Sequence, residues 1–172
     1  MMKADLLKAF NKQINEELYS AYLYLAMVNY FESENLGGFA TWMRAQTVEE
    51  LAHANKLVAY LHERGADVKL DAIAKPTPSW KSPLAAMEAA YKHECHISDC
   101  INKLYSAATK ADDHAAAIFL NWFVNEQVEE EANADEIVQQ LKLAKDAPGP
   151  MFMLNRELGA RQVAFPAATA EE

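Results

Sequence analysis

Glycine and proline are scarce: the chain of 172 residues has five and six of them. Both interrupt helices, and the prolines cluster in connecting stretches, so the shortage favours long helices over a turn-rich sheet fold. Period-two alternation of apolar and polar residues is also missing, which removes the strand signature. Cysteine is confined to Cys95 and Cys100. Five residues apart on one helix, they point in different directions and read as free thiols of a reducing compartment. No run of 18 apolar residues occurs, and no charged-then-apolar leader opens the sequence. Membrane spanning and secretion are therefore unsupported, and a cytoplasmic protein is expected. Cationic residues are outnumbered, with 16 Lys and Arg against 25 Asp and Glu. A chain of net charge −9 repels nucleic acid and anionic membrane, so neither is an expected partner.

What the chain does have is apolar content, 51% of its residues, enough for one domain over 1–172 with a full core. Four long periodic segments stand out at roughly 5–33, 38–64, 83–110 and 114–144, with a short fifth near 150–160. Asn35-Leu36-Gly37-Gly38 separates the first two and leaves a connection short enough to make them antiparallel neighbours. Gly65 can cap the second helix in a left-handed conformation. Ser82-Pro83 reads as an N-cap followed by proline at the first helical position. Lys110-Ala111-Asp112-Asp113 is a second short turn, and Pro148-Gly149-Pro150 stops the fourth helix and starts the last. A helix of about 27 residues spans roughly 40 Å. The stretch near 65–81, extended, reaches roughly 56 Å and can run the whole length of a bundle. The expected architecture is all-α: a four-helix bundle of two hairpins joined by one long crossover, plus a short C-terminal fifth helix.

Core-facing positions recur at spacings of three and four. The four seams are Phe10, Ile14, Glu17, Ala21, Tyr24, Val28, Phe31; then Phe39, Met43, Gln46, Glu50, His53, Leu57, Tyr60; then Met87, Ala90, Glu94, Ile97, Ile101, Leu104, Ala108; and Leu120, Phe123, Gln127, Glu130, Ala134, Ile137, Leu141. Each is interrupted near its middle by a carboxylate. Glu17, Glu50 with His53, Glu94, and Gln127 with Glu130 thus point inward at one depth.

Ionised carboxylates in a core are costly, and four together repel one another. No lysine or arginine stands in these seams to neutralise them. Protons or metal ions remain, and oxygen donors with one imidazole suit iron or manganese, with zinc as a competitor. Glu50 and His53, three residues apart, project to nearly the same side and can bind one ion together. Tyr24, two turns beyond Glu17, can hydrogen-bond a ligand carboxylate, donate an electron, or simply be a satisfied core tyrosine. Trp122, one residue off its seam, reads as packing. A second acidic run, Glu126, Glu129, Glu130 and Glu131 with Glu49, reads either as a solvated face or as an additional cation site.

The segments N-E-E-L-Y-S-A-Y-L-Y at 15–24, E-E-L-A-H at 49–53, Y-K-H-E at 91–94 and N-E-Q-V-E-E-E at 125–131 together resemble the bacterial non-haem ferritins, over nearly the whole chain. The resemblance implies iron storage in a 24-subunit shell, with the fifth helix at the four-fold contacts, and a ferroxidase centre that oxidises Fe²⁺ with O₂ or H₂O₂. It implies one iron held by Glu17, Glu50 and His53 with Gln127 nearby, and another held by Glu50, Glu94 and Glu130, Glu50 bridging. It also implies a third iron site of Glu49, Glu126, Glu129 and Glu130, and Tyr24 beside the centre. Bacterioferritin, a sister family, has a second Glu-x-x-His and an axial methionine for haem, where this chain has Gln127-x-x-Glu130 and Ala52; no haem is expected there. Two other readings compete. One is a structural bundle with protonated or zinc-bound carboxylates, and the other a small di-iron oxygen or peroxide reductase without storage. The reductase reading lacks a rubredoxin-like Cys-x-x-Cys pair.

Overall fold

The computed structural model describes residues 2–145 and 147–162. Five helices follow in order: α1 (Ala4–Ser33), α2 (Gly37–Glu63), α3 (Pro83–Lys110), α4 (His114–Ala144) and α5 (Pro148–Leu158). No strand occurs among the described residues. The expected segments and the helices agree to within two residues at each end. The main shift is at α2 and α5, where Gly37 and Pro148 open the helices rather than preceding them.

Local chemistry sets the boundaries. The Ser82 hydroxyl accepts from Ala85 N–H at the start of α3, with Pro83 in the first turn. Asp113 does the same for Ala116 at the start of α4. Gly65 takes φ +62°, as a left-handed cap requires. Three non-glycine residues, Asn35, Asp112 and Lys145, share that region at the other joints. Asp113 is also gripped at two points by Arg64, at 3.0 and 2.8 Å, so the end of α2 is tied to the start of α4.

The crossover fixes the topology. Asn11 donates to the Asp67 carbonyl and accepts from Lys69 N–H at 2.6 Å. Further along α1, Tyr30 packs against Trp80 with ring centres 5.4 Å apart. The connection thus climbs α1 from Asn11 to Tyr30, a rise of about 28 Å at 1.5 Å per residue. It returns the chain to the end at which α2 began, so α3 runs parallel to α2 and α4 parallel to α1.

The core is in two parts. One joins Leu23–Phe31, Phe39–Met43, Ala86–Ala90 and Ile137–Leu141; the other joins Met2–Ile14, Leu57–Leu61, Ile97–Ala108 and Ala116–Phe123. Between them lies a buried polar belt.

The α5 helix buries Leu154 and Leu158 on the first part. Its Asn155 side-chain oxygen accepts from the Gly38 and Phe39 amides, at 2.9 and 3.3 Å, and so caps α2, whose own Leu36 offers no side-chain cap. A Cβ at Gly38 would stand 1.6 Å from the Asn155 carbonyl oxygen. Gly38→Ala should therefore push α5 off its seat, weaken the cap and lower stability by about 1–3 kcal/mol. Thermal unfolding checks this; an unchanged midpoint would contradict the close contact.

Candidate metal centre

Glu17 lies on α1, Gln46, Glu50 and His53 on α2, Glu94 on α3, and Gln127 and Glu130 on α4. All are at most 5% exposed. The helical register that buries Ile14, Leu57, Ile97 and Phe123 carries these polar groups inward with them. Among the described residues, no lysine or arginine is buried beside them.

The carboxylates are met by neutral donors. Gln13 donates to Glu17 Oε1 at 2.9 Å. Gln46 donates to Glu130 Oε2 at 2.8 Å. Tyr24 O–H donates to Glu94 Oε1, and Gln127 Nε2 donates to Glu94 Oε2 at 3.2 Å and to its backbone carbonyl at 3.3 Å. These contacts fix orientation and leave the negative charge uncompensated.

Among the described residues, three buried side-chain atoms find no hydrogen-bond partner: Glu17 Oε2, Glu50 Oε2 and His53 Nδ1. Glu50 Oε2 and His53 Nδ1 are 3.6 Å apart. One ligand atom from each of Glu17, Glu50 and His53 lies within 4.8 Å of the others. A second group of that span unites His53, Glu126 and Glu130. Burial without a partner costs each such group on the order of 1–3 kcal/mol. Glu17, Glu50 and His53, each able to turn one ligand atom toward a common point, have the arrangement of ligands around a cation, and their oxygen and imidazole chemistry fits iron.

Electrostatics follow from the same geometry. Burial raises Glu17 well above the usual carboxylate range, and the charge of Glu50 adds to it. Glu50 is likewise raised by burial and then by Glu94. Glu94 is raised by burial, against the pull of Tyr24 and Gln127. Glu130 is pushed up to about 7 by burial and by Glu94. Burial and Glu94 also raise Tyr24, which stays a protonated donor.

The structure brings together most of the residues singled out in the sequence. Gln127 enters as a donor to Glu94. Trp122 is half-exposed and lies against the His53 ring, centres 5.4 Å apart, with Lys56 over its outer face. Of the outer acidic group, Glu126 joins His53 and Glu130. Glu129 is exposed, and Glu49 is paired with Arg161 at 2.5 Å. Arg161 also donates to Gln46 Oε1 at 2.6 Å, so the segment after α5 reaches the belt through Gln46 and Glu130. Gln13, Gln46 and Arg161 are absent from the sequence-derived site. Gln13 had a legible signal, one turn before Glu17. Arg161 lies beyond the last periodic segment and had none. Cys95 and Cys100 are both free thiols, as expected.

An up-down-down-up helical bundle with one long crossover, its carboxylates and imidazole gathered at mid-height, defines a class of metal-binding four-helix proteins. The family model described as Ferritin-like domain matches residues 7–144. Bacterial non-heme ferritin of Bacteroides fragilis is 41% identical over 161 residues, covering 94% of this chain and 100% of that relative. The Staphylococcus aureus protein of the same name is 33% identical, covering 94% and 97%. Among solved structures, an open pore ferritin from the archaeon Archaeoglobus fulgidus superposes with a TM-score of 0.93 at 46% identity, over 94% of this chain and all of that one. The chain belongs to the ferritin family.

Proposed function

We propose that this protein stores iron, oxidising Fe²⁺ within the bundle and collecting ferric oxyhydroxide inside a shell of 24 copies. The observation that carries it is the clustering of Glu17, Glu50 and His53, each with a buried atom that finds no hydrogen-bond partner among the described residues, in a belt where no described lysine or arginine is buried.

Iron is the substrate. Glu17, Glu50 and His53 hold one Fe²⁺. Glu50, shared, holds a second together with Glu94 and Glu130, whose charges it already feels. Two Fe²⁺ ions give one electron each to O₂, which with two protons becomes H₂O₂ and leaves two Fe³⁺. Carboxylate oxygens favour the harder Fe³⁺, so the ligand set assists the oxidation. Gln13, Gln46 and Gln127 keep the carboxylates aimed. Tyr24, bonded to Glu94, orients that ligand and stands where it can supply a further electron. Glu126 and Glu129, with Glu130 and Glu49, form the third stop through which oxidised iron leaves. Replacing Glu126 and Glu129 together by alanine should change the ratio of iron oxidised to oxygen consumed more than the initial rate. Parallel iron spectroscopy and oxygen-electrode traces check this, and an unaltered ratio would remove the third stop.

Self-assembly has its own support in exposed apolar side chains that a monomer leaves in water. Leu143, Phe152 and Met153 on α4 and α5 are 81%, 67% and 72% exposed. Aerobic iron loading followed by native mass measurement tests storage. A large shell holding far more iron than the few ions the belt can ligate is expected. A small oligomer that stops at those few would favour an oxygen reductase instead.

A further inference from the structure

A second group of ligands, of a different chemical kind, converges between α1 and α3 outside the belt. His96 Nε2 lies 3.1 Å from Glu16 Oε2 and 3.6 Å from Cys100 Sγ. One ligand atom from each of the three residues lies within 4.8 Å of the others. We propose that Glu16, His96 and Cys100 form a separate site for a divalent transition cation of borderline softness, zinc above all.

The spacing is that of a tetrahedral centre. Bonds of about 2.3 Å to sulfur and about 2.1 Å to nitrogen and oxygen, at the tetrahedral angle, place nitrogen about 3.6 Å from sulfur and about 3.4 Å from oxygen. His96 and Cys100 stand at the first separation, 3.6 Å, and His96 and Glu16, at 3.1 Å, need open by only about 0.3 Å to reach the second. They are four residues apart on α3 and so share a face. Glu16 reaches them from α1. It adjoins Glu17 in sequence, but one step around the helix turns it away from the core, and its side chain is 20% exposed against 1% for Glu17 residue-wide. Lys12 pairs with the other Glu16 oxygen, Oε1, at 3.8 Å, which leaves Oε2 on the His96 side. Lys12 and Lys103 also line the cleft and weaken its pull on cations. Binding must come from the ligand bonds themselves, which favours a thiolate-seeking metal.

The His96 side chain is 52% exposed, so a cation arrives from solvent and a water can take the fourth position. The neighbouring His93 is not a competitor: its Nε2 is taken by the Ser20 hydroxyl at 2.8 Å. On binding, the Cys100 S–H bond gives way to a sulfur–metal bond and one proton passes to water, with no change of oxidation state. Thiolate and imidazole together select Zn²⁺ over Mg²⁺, Ca²⁺ and Fe³⁺. The belt contributes no sulfur, so the two sites are chemically distinguishable.

Cobalt(II) titration of the reduced, iron-free assembled protein tests the site, because only a thiolate ligand yields a sulfur-to-cobalt charge-transfer band. The band should saturate at one Co²⁺ per chain and vanish on adding Zn²⁺. It should be lost in Cys100→Ser, persist in Cys95→Ser and in Glu17→Ala, and need at least about tenfold more Co²⁺ in His96→Ala. No band in the unaltered protein, a band surviving Cys100→Ser, or one lost in Cys95→Ser would each overturn the assignment. Cys100 is partly exposed, so serine leaves the fold intact.

Discussion

A Glu17→Ala, His53→Ala double variant is expected to lose at least about 100-fold of the initial rate of aerobic Fe²⁺ oxidation while assembling as before. The magnitude follows from what is removed. Changes to groups that merely support metal ligands commonly cost 10- to about 100-fold, and here two of the three converging ligands disappear. Glu50 would be left without the partners that define the pocket, and Gln13 would donate to nothing. Assembly should survive because both residues belong to the polar belt and neither is a member of the two apolar halves of the core, although the His53 ring does touch Phe123 at the edge of one of them. Stopped-flow absorbance of the ferric product measures the rate, and sizing measures assembly. An oxidation rate within a few-fold of the unaltered protein would show that the pocket is not where iron reacts.

Glu130→Gln should make the metal-free protein more stable at neutral pH while impairing its chemistry. The Glu130 carboxyl sits at about 7 in the folded chain, against an ordinary 4.5, chiefly because it is buried and then because of Glu94. The sign follows from proton counting. Between 4.5 and about 7 the folded state keeps a proton that the unfolded state has released. This group therefore favours folding fully below 4.5, and that support declines as pH rises through the window. Above about 7 the penalty is complete, about 3 kcal/mol on the usual conversion. An amide of the same shape never ionises and still accepts from Gln46. Its advantage should be absent below pH 4.5 and should reach about 6–12 °C in melting temperature at pH 8. Chelator-treated protein melted across that range provides the check. A variant that melts lower at pH 8, or gains equally at pH 4, would show that buried charge is not what strains the belt. Bound cations remove the same penalty, so iron loading should flatten the pH profile of the unaltered protein.

The sequence announced the belt because burial and helical period are coupled. Once Phe10, Ile14, Val28 and Phe31 fix the inner face of α1, Glu17 has nowhere else to point, and the same holds for Glu50, Glu94 and Glu130. The joints were legible for local reasons: Ser82 and Asp113 cap, Gly65 turns left-handed, and the prolines start helices. The polar support was harder to see. Gln13 looks like an ordinary polar residue, and Gln46, though on the inner seam, does not show which carboxylate oxygen it meets until the geometry is seen. The pairing of Arg161 with Glu49 spans 112 positions and depends on how α5 folds back over α2, which no local pattern encodes. The shared cap from Asn155 and the glycine that admits it are hidden for the same reason. Of Glu16, His96 and Cys100 only the cysteine stood out in the sequence, and the convergence of the three needs the relative height of α1 and α3.

Diffraction at the iron absorption edge from a crystal soaked anaerobically in ferrous salt tests the central claim most directly. Two anomalous peaks are predicted, one among Glu17, Glu50 and His53, the other among Glu50, Glu94 and Glu130. A belt that stays free of iron while the soaked ion is found only on surface carboxylates would contradict the account.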